Sequence, residues 1–600
     1  MEPLALILAA EELDNNDANF IKLIKFFGID CRVMYIENDL SELFYNIKTN
    51  EIKFSCLALN CVTLQRIYNK REIANDFLSV LSVHIPFLFV YGVYPDKGTD
   101  TALKFITRGI ISNVLKSKNH VLRFNISPKY AKICRQFSGL SFGPSNPKID
   151  FTFKIEKQSN IISNLITIGT QPFFTKIVLN KCQIFLVASN QIIDPSELIC
   201  EEFNVRSIFS QLIPALLFIK FVFKNRCWHK NSSHACLIID DPLLRSKYGF
   251  LDYRKLITLM NQNNFSTTIA FIPWNYKRTD KRIADLLLKN RQKCSICIHG
   301  CDHTASEFGA KDINMLDRKA KIALERMHYH KEITGLEYDK LMVFPQGKFS
   351  SNAFEVLKSN NFLAAVNTET VPINNKERPT DCSALDVAIM DYHNFPLFLR
   401  RPNINIEDFA LDLFIGRPAL IYVHHDSFKD GGKDLIDFIR KINSIDSSIQ
   451  WYTLGDIIKR SYMMKNGQDQ FVHVKIYANN VIIKNRTNVR KRYIITKPES
   501  NKNVPIDHIT INGEKTLFEV KNGYLKIVRE LGPIETANLK IVYRDLLLKI
   551  SENVSAFESI KVTMRRYLCE LRDNYLSKNA LIEYIALKIY RKIFKDHDDD

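Results

Sequence analysis

The chain has 600 residues, 46% of them hydrophobic and 25% charged, the values of an ordinary globular protein. That length fits about four domains, or three with one large barrel, and the composition excludes disordered, collagen-like and low-complexity classes. Lys+Arg 83 against Asp+Glu 65 leaves a formal charge of +18, but Lys, Asn and Ile are abundant throughout and no nucleic-acid motif occurs, so the excess reads as a compositional bias and no nucleic-acid partner is expected.

The fold class expected is α/β: a distorted (β/α) barrel, preceded by a small α/β domain and followed by a β-sandwich and C-terminal helices. Residues 1–115 alternate short apolar runs (LALIL, CRVMYI, CLALN, FLFVYGV) with amphipathic stretches such as NFIKLIKFF. That rhythm predicts a small parallel sheet. The apolar start MEPLALILAAEELD lacks a basic flank and predicts a buried strand, not a signal peptide. The uncharged stretch Phe77–Pro95 is long enough to span a bilayer. Pro86 divides it, however, and it reads as a helix end followed by a strand. Residues 116–230 change to strict alternation, a β-rich segment that ends in the buried helix VRSIFSQLIPALLFIKFVFK.

Residues 231–465 are the most informative. ACLIIDD, TTIAFIP, CSICIHG, KLMVFPQG, FLAAVNT, PLFLRRP, ALIYVHHD and IQWYTL are eight candidate strands. Helical patterns separate most of them, which predicts a (β/α) barrel. Residues 466–547 carry short alternating runs and predict a β-sandwich. Residues 548–600 are mostly helical. The helix Leu581–Phe594 has an apolar face flanked by Lys588, Arg591, Lys592 and Lys595. It suits docking on its own protein or weak association with an anionic membrane surface. Thirteen scattered cysteines are no disulfide framework and suggest a reducing, cytoplasmic setting.

Polar residues gather where the predicted barrel strands end. The first ends in Asp240-Asp241, the third in His299-Gly300-Cys301-Asp302-His303, the fourth in Phe344-Pro345-Gln346-Gly347, the seventh in His424-His425-Asp426. Barrel active sites assemble at these C-terminal strand ends. One carboxylate and two imidazoles suit Zn²⁺ or a similar divalent ion, and three protein ligands leave a coordination position open, the catalytic pattern. Adjacent Asp residues on one strand point to opposite faces unless the strand end twists. Cys294 and Cys297 lie within an apparent buried strand and read as core residues, not half of a zinc site. Trp274 and, more weakly, Tyr248 offer either a sugar-stacking platform or a lid over the core.

These motifs resemble the polysaccharide deacetylase (NodB-homology, carbohydrate esterase) family. Ile238-Ile239-Asp240-Asp241 corresponds to its T-F-D-D, His299–His303 to its H-[ST]-x-x-H, and Val423-His424-His425 to its L-x-H. The resemblance covers about residues 234–461. It implies Asp240 as general base, Asp241, His299 and His303 as metal ligands, and His425 as general acid. It also implies a bound divalent metal, Zn²⁺ with Co²⁺ or Ni²⁺ as substitutes, and hydrolysis of an N- or O-acetyl group on an acetylated carbohydrate. Only one of His424 and His425 points inward on an alternating strand, and the family register favours His425. Asp426 either orients that imidazole or caps the following turn. Gly300 replaces the family's Ser/Thr. The family's third motif carries an Arg that supports the base, and Met342–Gly347 has none; Arg400 or Arg401 would supply that charge from another strand. Trp274, Tyr248, Gln346, Arg400 and Arg401 are the candidate substrate contacts. The missing Arg also motivates a second reading, a non-catalytic glycan-binding protein on the same barrel.

Overall fold

The computed structural model describes residues 4–37, 40–49, 51–116, 122–156, 159–199, 204–373, 382–467, 471–500, 504–544 and 556–575. The chain divides into two compact units. The first is built mainly from residues 1–229; the second carries residues 230–406, 416–463 and 474–600.

The first unit holds one nine-stranded sheet. Strands β1 (Leu4–Ala9), β2 (Asp30–Tyr35), β3 (Cys56–Asn60) and β4 (Phe87–Tyr91) are parallel, as their βαβ rhythm requires. Five more strands follow: β5 (Phe124–Ile126), β6 (Ser141–Phe142), β7 (Ile162–Ile168), β8 (Gln171–Leu179) and β9 (Cys182–Val187). The sheet order is β2-β1-β3-β4-β9-β8-β7-β5-β6. The parallel segment and the alternating segment thus share one sheet, because β9 pairs parallel with β4 while β8 pairs antiparallel with β9. Phe77 lies in a helix (Arg71–Val83) that ends before β4, so the uncharged stretch is a helix end and a strand. Helix α1 (Asn15–Phe26) starts at an Asp14 capping box. Helix α2 (Val205–Phe223) is long and apolar enough to cross a membrane, and its window is 72% buried within the protein. Phe218 of α2 stacks on Phe89 of β4, and Phe20 of α1 packs beside both.

The second unit is organised around a parallel sheet. Its strands are β10 (His234–Asp240), β11 (Thr267–Phe271), β12 (Cys294–His299), β13 (Tyr338–Val343), β14 (Ala364–Asn367), β15 (Leu397–Leu399), β16 (Arg401–Pro402), β17 (Ala419–Val423) and the short β18 (Gln450–Trp451). Eight run in the order β15-β14-β13-β12-β11-β10-β17-β16, and β18 pairs with β10. The sequence PLFLRRP therefore forms two strands, not one. These two are the opposite edges of the sheet, and only Arg400 lies between them. The chain itself bridges the seam of a nearly closed barrel. β10 is buried at every position, which explains its unbroken apolar run; Cys294 and Cys297 are core residues.

Helices α3 (Tyr253–Asn263), α4 (Lys281–Lys289), α5 (Ile313–Thr334), α6 (Ser351–Ser359) and α7 (Lys433–Ile445) fall on the predicted helical patterns. Asp252, Asp280 and Asp312 cap the first three by accepting backbone N–H bonds, which satisfies otherwise orphaned donors. Beyond the barrel, β19 (Asn480–Lys484), β20 (Lys491–Pro498), β21 (Ile506–Ile511), β22 (Glu514–Lys515), β23 (Glu519–Lys521), β24 (Tyr524–Leu531) and β25 (Thr536–Tyr543) form antiparallel ladders. Four of them make one sheet in the order β19-β25-β21-β22, and β20, β24 and β23 belong to another. Helix α8 (Ala556–Asn574) follows. The helix expected over Leu581–Phe594 lies outside the described residues.

Asp17 of α1 is fully buried and accepts bonds from the Tyr91 hydroxyl at 2.6 Å and the Asn60 amide at 3.1 Å. Burial pushes its carboxyl up to about 6, against the lowering effect of Tyr91. Between pH about 4 and about 6 the folded unit therefore holds a proton that the unfolded chain has released. Stability of this unit is expected to fall as pH rises through that window, by at most about 3 kcal/mol at ~1.4 kcal/mol per pKa unit. Asp17→Asn should flatten the slope, measured as urea midpoints across the window.

Candidate functional site

Asp240 ends β10, and both it and its neighbour face the site. Asp241 has a left-handed backbone, φ +73, a conformation that Asp tolerates better than most residues. That single residue breaks the strand alternation, so the two carboxylates serve different partners. Asp240 is 3% exposed and accepts a hydrogen bond from Arg400 Nη1 at 2.7 Å. Asp241 Oδ1 lies 3.2 Å from His299 Nε2 and 3.0 Å from His303 Nε2.

Asp241, His299 and His303 present one ligand atom each, all within 4.8 Å of one another. His299 Nδ1 lies 2.9 Å from the Val343 carbonyl. Donating its Nδ1–H there fixes the tautomer and leaves the Nε2 lone pair for a metal. Asp241 Oδ1 is buried with no hydrogen-bond donor of its own. Two imidazoles and a carboxylate whose buried oxygen is orphaned fit a divalent ion of the Zn²⁺ type. Burial alone would raise the Asp241 carboxyl, but the His303 and His299 imidazoles bring it well below the usual carboxylate range. Burial alone would lower His299; the neighbouring Asp241 carboxylate and the charge of Asp240 raise it instead.

The loop between the two histidines is held by Glu307, which sequence reasoning missed. Its carboxylate accepts from the backbone N–H groups of Cys301 at 2.8 Å, Asp302 at 3.1 Å and His303 at 3.0 Å. A Cβ on Gly300 would lie 2.0 Å from Glu307 Oε1 and 2.5 Å from the Pro345 ring, at φ +62. Glycine at position 300 is thus the condition for this carboxylate clamp. Arg326 of α5 adds a bond to Asp302 at 2.6 Å. The signal in the sequence is modest: an acid four residues after His303, facing a turn with free N–H groups.

The segment Phe344–Gly347 contributes Pro345 as a buttress under Gly300, while Gln346 is exposed in a turn at φ +58. The charge expected from that segment comes from the seam. Arg400 is 4% exposed, pairs with Asp240 and lies 4.8 Å over the Tyr422 ring. Arg401 opens β16 opposite Ile421.

His424 is exposed, and the His425 side chain is 13% exposed, facing inward. A Cβ on Gly249, φ +56, would lie 2.4 Å from His425 Nδ1, so glycine lets the hairpin 247–252 close on this imidazole. Asp426 is exposed. The carboxylate beside His425 is instead Asp573 of α8, with Oδ1 3.6 Å from Nε2. Tyr248 is buried and donates to Asp573 Oδ2 at 2.6 Å. Burial would raise the Asp573 carboxyl; His425, Arg572 and Tyr248 together hold it below its ordinary value. Trp274 is half-buried, and its backbone N–H reaches the Cys301 carbonyl at 3.1 Å. The structure thus gathers Asp240, Asp241, His299, His303 and Arg400, sets Tyr248 against His425, and joins Trp274 to the metal-ligand loop.

No protein-family model matches the chain, and no curated protein matches it. Solved structures do match in part. The Xyl-CE4 domain of a multidomain xylanase from the hindgut metagenome of Trinervitermes trinervoides is 11% identical, with 38% of this chain and 91% of that one covered and a TM-score of 0.24. A family 4 carbohydrate esterase from Streptomyces lividans in complex with acetate is 11% identical over 37% of this chain and 92% of that one, with a TM-score of 0.23. A CE4 family pseudoenzyme from Bacillus anthracis is 10% identical over 38% and 66%, with a TM-score of 0.24. Over that part the chain is similar to CE4 structures. At these values the likeness assigns no activity, which rests on the site's own chemistry.

Two outcomes are expected. Arg400→Met should destabilise the second unit by about 3–5 kcal/mol, because it leaves Asp240 buried and unpaired. Asp240→Asn in the same chain should recover part of that loss in a denaturant titration. Glu307→Ala should weaken Zn²⁺ binding by roughly 10–100-fold in calorimetry, since the clamp that orients His303 is lost.

Proposed function

We propose that this protein is a metal-dependent hydrolase that removes an acetyl group, N- or O-linked, from a sugar or glycan precursor. The observation that carries the proposal is the pairing of two distinct carboxylates on one strand end: Asp241 with the two histidines, Asp240 with a buried arginine. A divalent cation held by Asp241, His299 and His303 would supply Lewis acidity toward the acetyl carbonyl and a water of lowered pKa.

The remaining roles belong to the chain. Asp240, which accepts a hydrogen bond from Arg400, stands ready to take a proton from the attacking water. His425 delivers a proton to the departing amine or alkoxide. Trp274 and Tyr248 line the approach to it. The buried Arg400 beside Asp240 supports this reading over a non-catalytic glycan-binding protein on the same barrel. The proposal includes the acetylated carbohydrate as substrate and the cytoplasm as the setting.

Protein purified without chelator is expected to carry near-stoichiometric divalent metal by mass spectrometry, and His299→Ala/His303→Ala to lose it. Wild type should release acetate from a panel of acetylated sugars with Zn²⁺, Co²⁺ or Ni²⁺ added. Asp240→Asn should keep the metal and lose roughly 10²–10⁴-fold in turnover. A folded, metal-loaded protein that releases no acetate from any of them would sink the proposal.

A further inference from the structure

Helix α8 lies against the mouth of the candidate site, and its docked face is polar. Glu570 takes ion pairs from Arg278 at 2.5 Å and Arg245 at 3.2 Å. Asp573 meets His425 and Tyr248, and the Asn574 side-chain oxygen accepts the Gly249 N–H at 2.8 Å. The Tyr567 ring meets Trp274 edge to face at 6.1 Å. Three residues singled out from the sequence as acid or substrate contacts, His425, Tyr248 and Trp274, are thus all engaged by one helix from far along the chain.

A stripe of α8 beside the docked residues is apolar and exposed. Ile560, Met564, Leu571 and, just past the helix end, Tyr575 are 47–70% exposed, and their spacing places them on one stripe with Tyr567, itself 54% exposed though its ring meets Trp274. A helix that is a permanent wall buries its apolar stripe. Here the polar stripe is buried, and docking rests on ion pairs and hydrogen bonds, which contribute little each when partly solvated. His425 Nε2 faces Asp573, and its Nδ1 is buried without a partner against the Gly249 turn. In this arrangement neither nitrogen is offered to a leaving group.

We infer that α8 is an intramolecular occupant of the site's mouth: while it is docked, His425 and the aromatic platform are taken, and a substrate reaches them only when the helix is displaced. The inference concerns the same site as the proposed deacetylation, but its primary readout is independent of that reaction.

The test uses the full chain. Diethyl pyrocarbonate modifies accessible imidazoles, and peptide mass spectrometry separates His425 from its exposed neighbour His424, the internal reference. Glu570→Lys places a cation against Arg245 and Arg278, and Tyr567→Ala removes the ring over Trp274 without changing charge. Both variants are checked for wild-type circular dichroism. The His425:His424 modification ratio is expected to be low in wild type and to rise about tenfold in Glu570→Lys, the equivalent of ~1.4 kcal/mol of docking; Tyr567→Ala should move it in the same direction. If wild type releases acetate, both variants should release it faster. A rising ratio with no acetate from any form supports the occluding helix and fails the deacetylase proposal alone. An unchanged ratio in both folded variants overturns the inference. So does a rising ratio with falling acetate release, which would make α8 a working wall of the site.

Discussion

A buried carboxylate needs a partner, and the pairing of Asp240 with Arg400 sets much of what surrounds it. Asp240 ends an entirely buried strand, where an unpaired charge would be very costly. The cation comes from the one residue between the two edges of the barrel sheet. Closing the sheet and pairing the Asp240 carboxylate are therefore the same event. The seam places Arg400 by backbone pairing, its N–H bonded to the Asn367 carbonyl at 2.9 Å, and the Tyr422 ring supports the guanidinium from one side. A charge placed this way is fixed as firmly as the barrel itself.

The metal-ligand side depends on a different constraint, backbone held at positive φ. Asp241, Gly300 and His303 all adopt it. Such conformations persist when the surroundings over-determine them, and here each has a visible support. Asp241 faces two imidazoles. Gly300 is wedged by Glu307 and Pro345. The His303 N–H is held by Glu307, whose carboxylate also lies 3.6 Å from Lys319 of α5. The absence of a side chain at Gly300 admits the Glu307 carboxylate, and the cation beside Asp240 comes from the seam.

Helix α8 reverses the usual order of helix packing, polar side inward and apolar side out. Its contacts fall on His425, Tyr248 and Trp274.

Local pattern was enough for the elements and for the strand-end clusters. Period-two runs bounded by turns marked the barrel strands, and His299-x-x-x-His303 with Asp240-Asp241 marked the candidate ligands, because strand periodicity and ligand spacing are properties of neighbouring residues. His425 over His424 rested on the family register; of the two side chains, His425 is the less exposed. Arg400 was narrowed to one of two adjacent arginines, and only barrel closure chose between them. Glu307 escaped notice because its role depends on three N–H groups that exist only once the loop has turned. Asp573 was invisible because nothing local links a C-terminal helix to a histidine almost 150 residues earlier. The single nine-stranded sheet of the first unit was divided at residue 115 for the same reason: the pairing of β4 with β9 joins strands of different local rhythm. Chemistry that sits within a few residues was therefore determined by the sequence, whereas charge compensation, loop clamping and coverage of the site were decided by tertiary structure, since each is made by side chains that folding alone brings together.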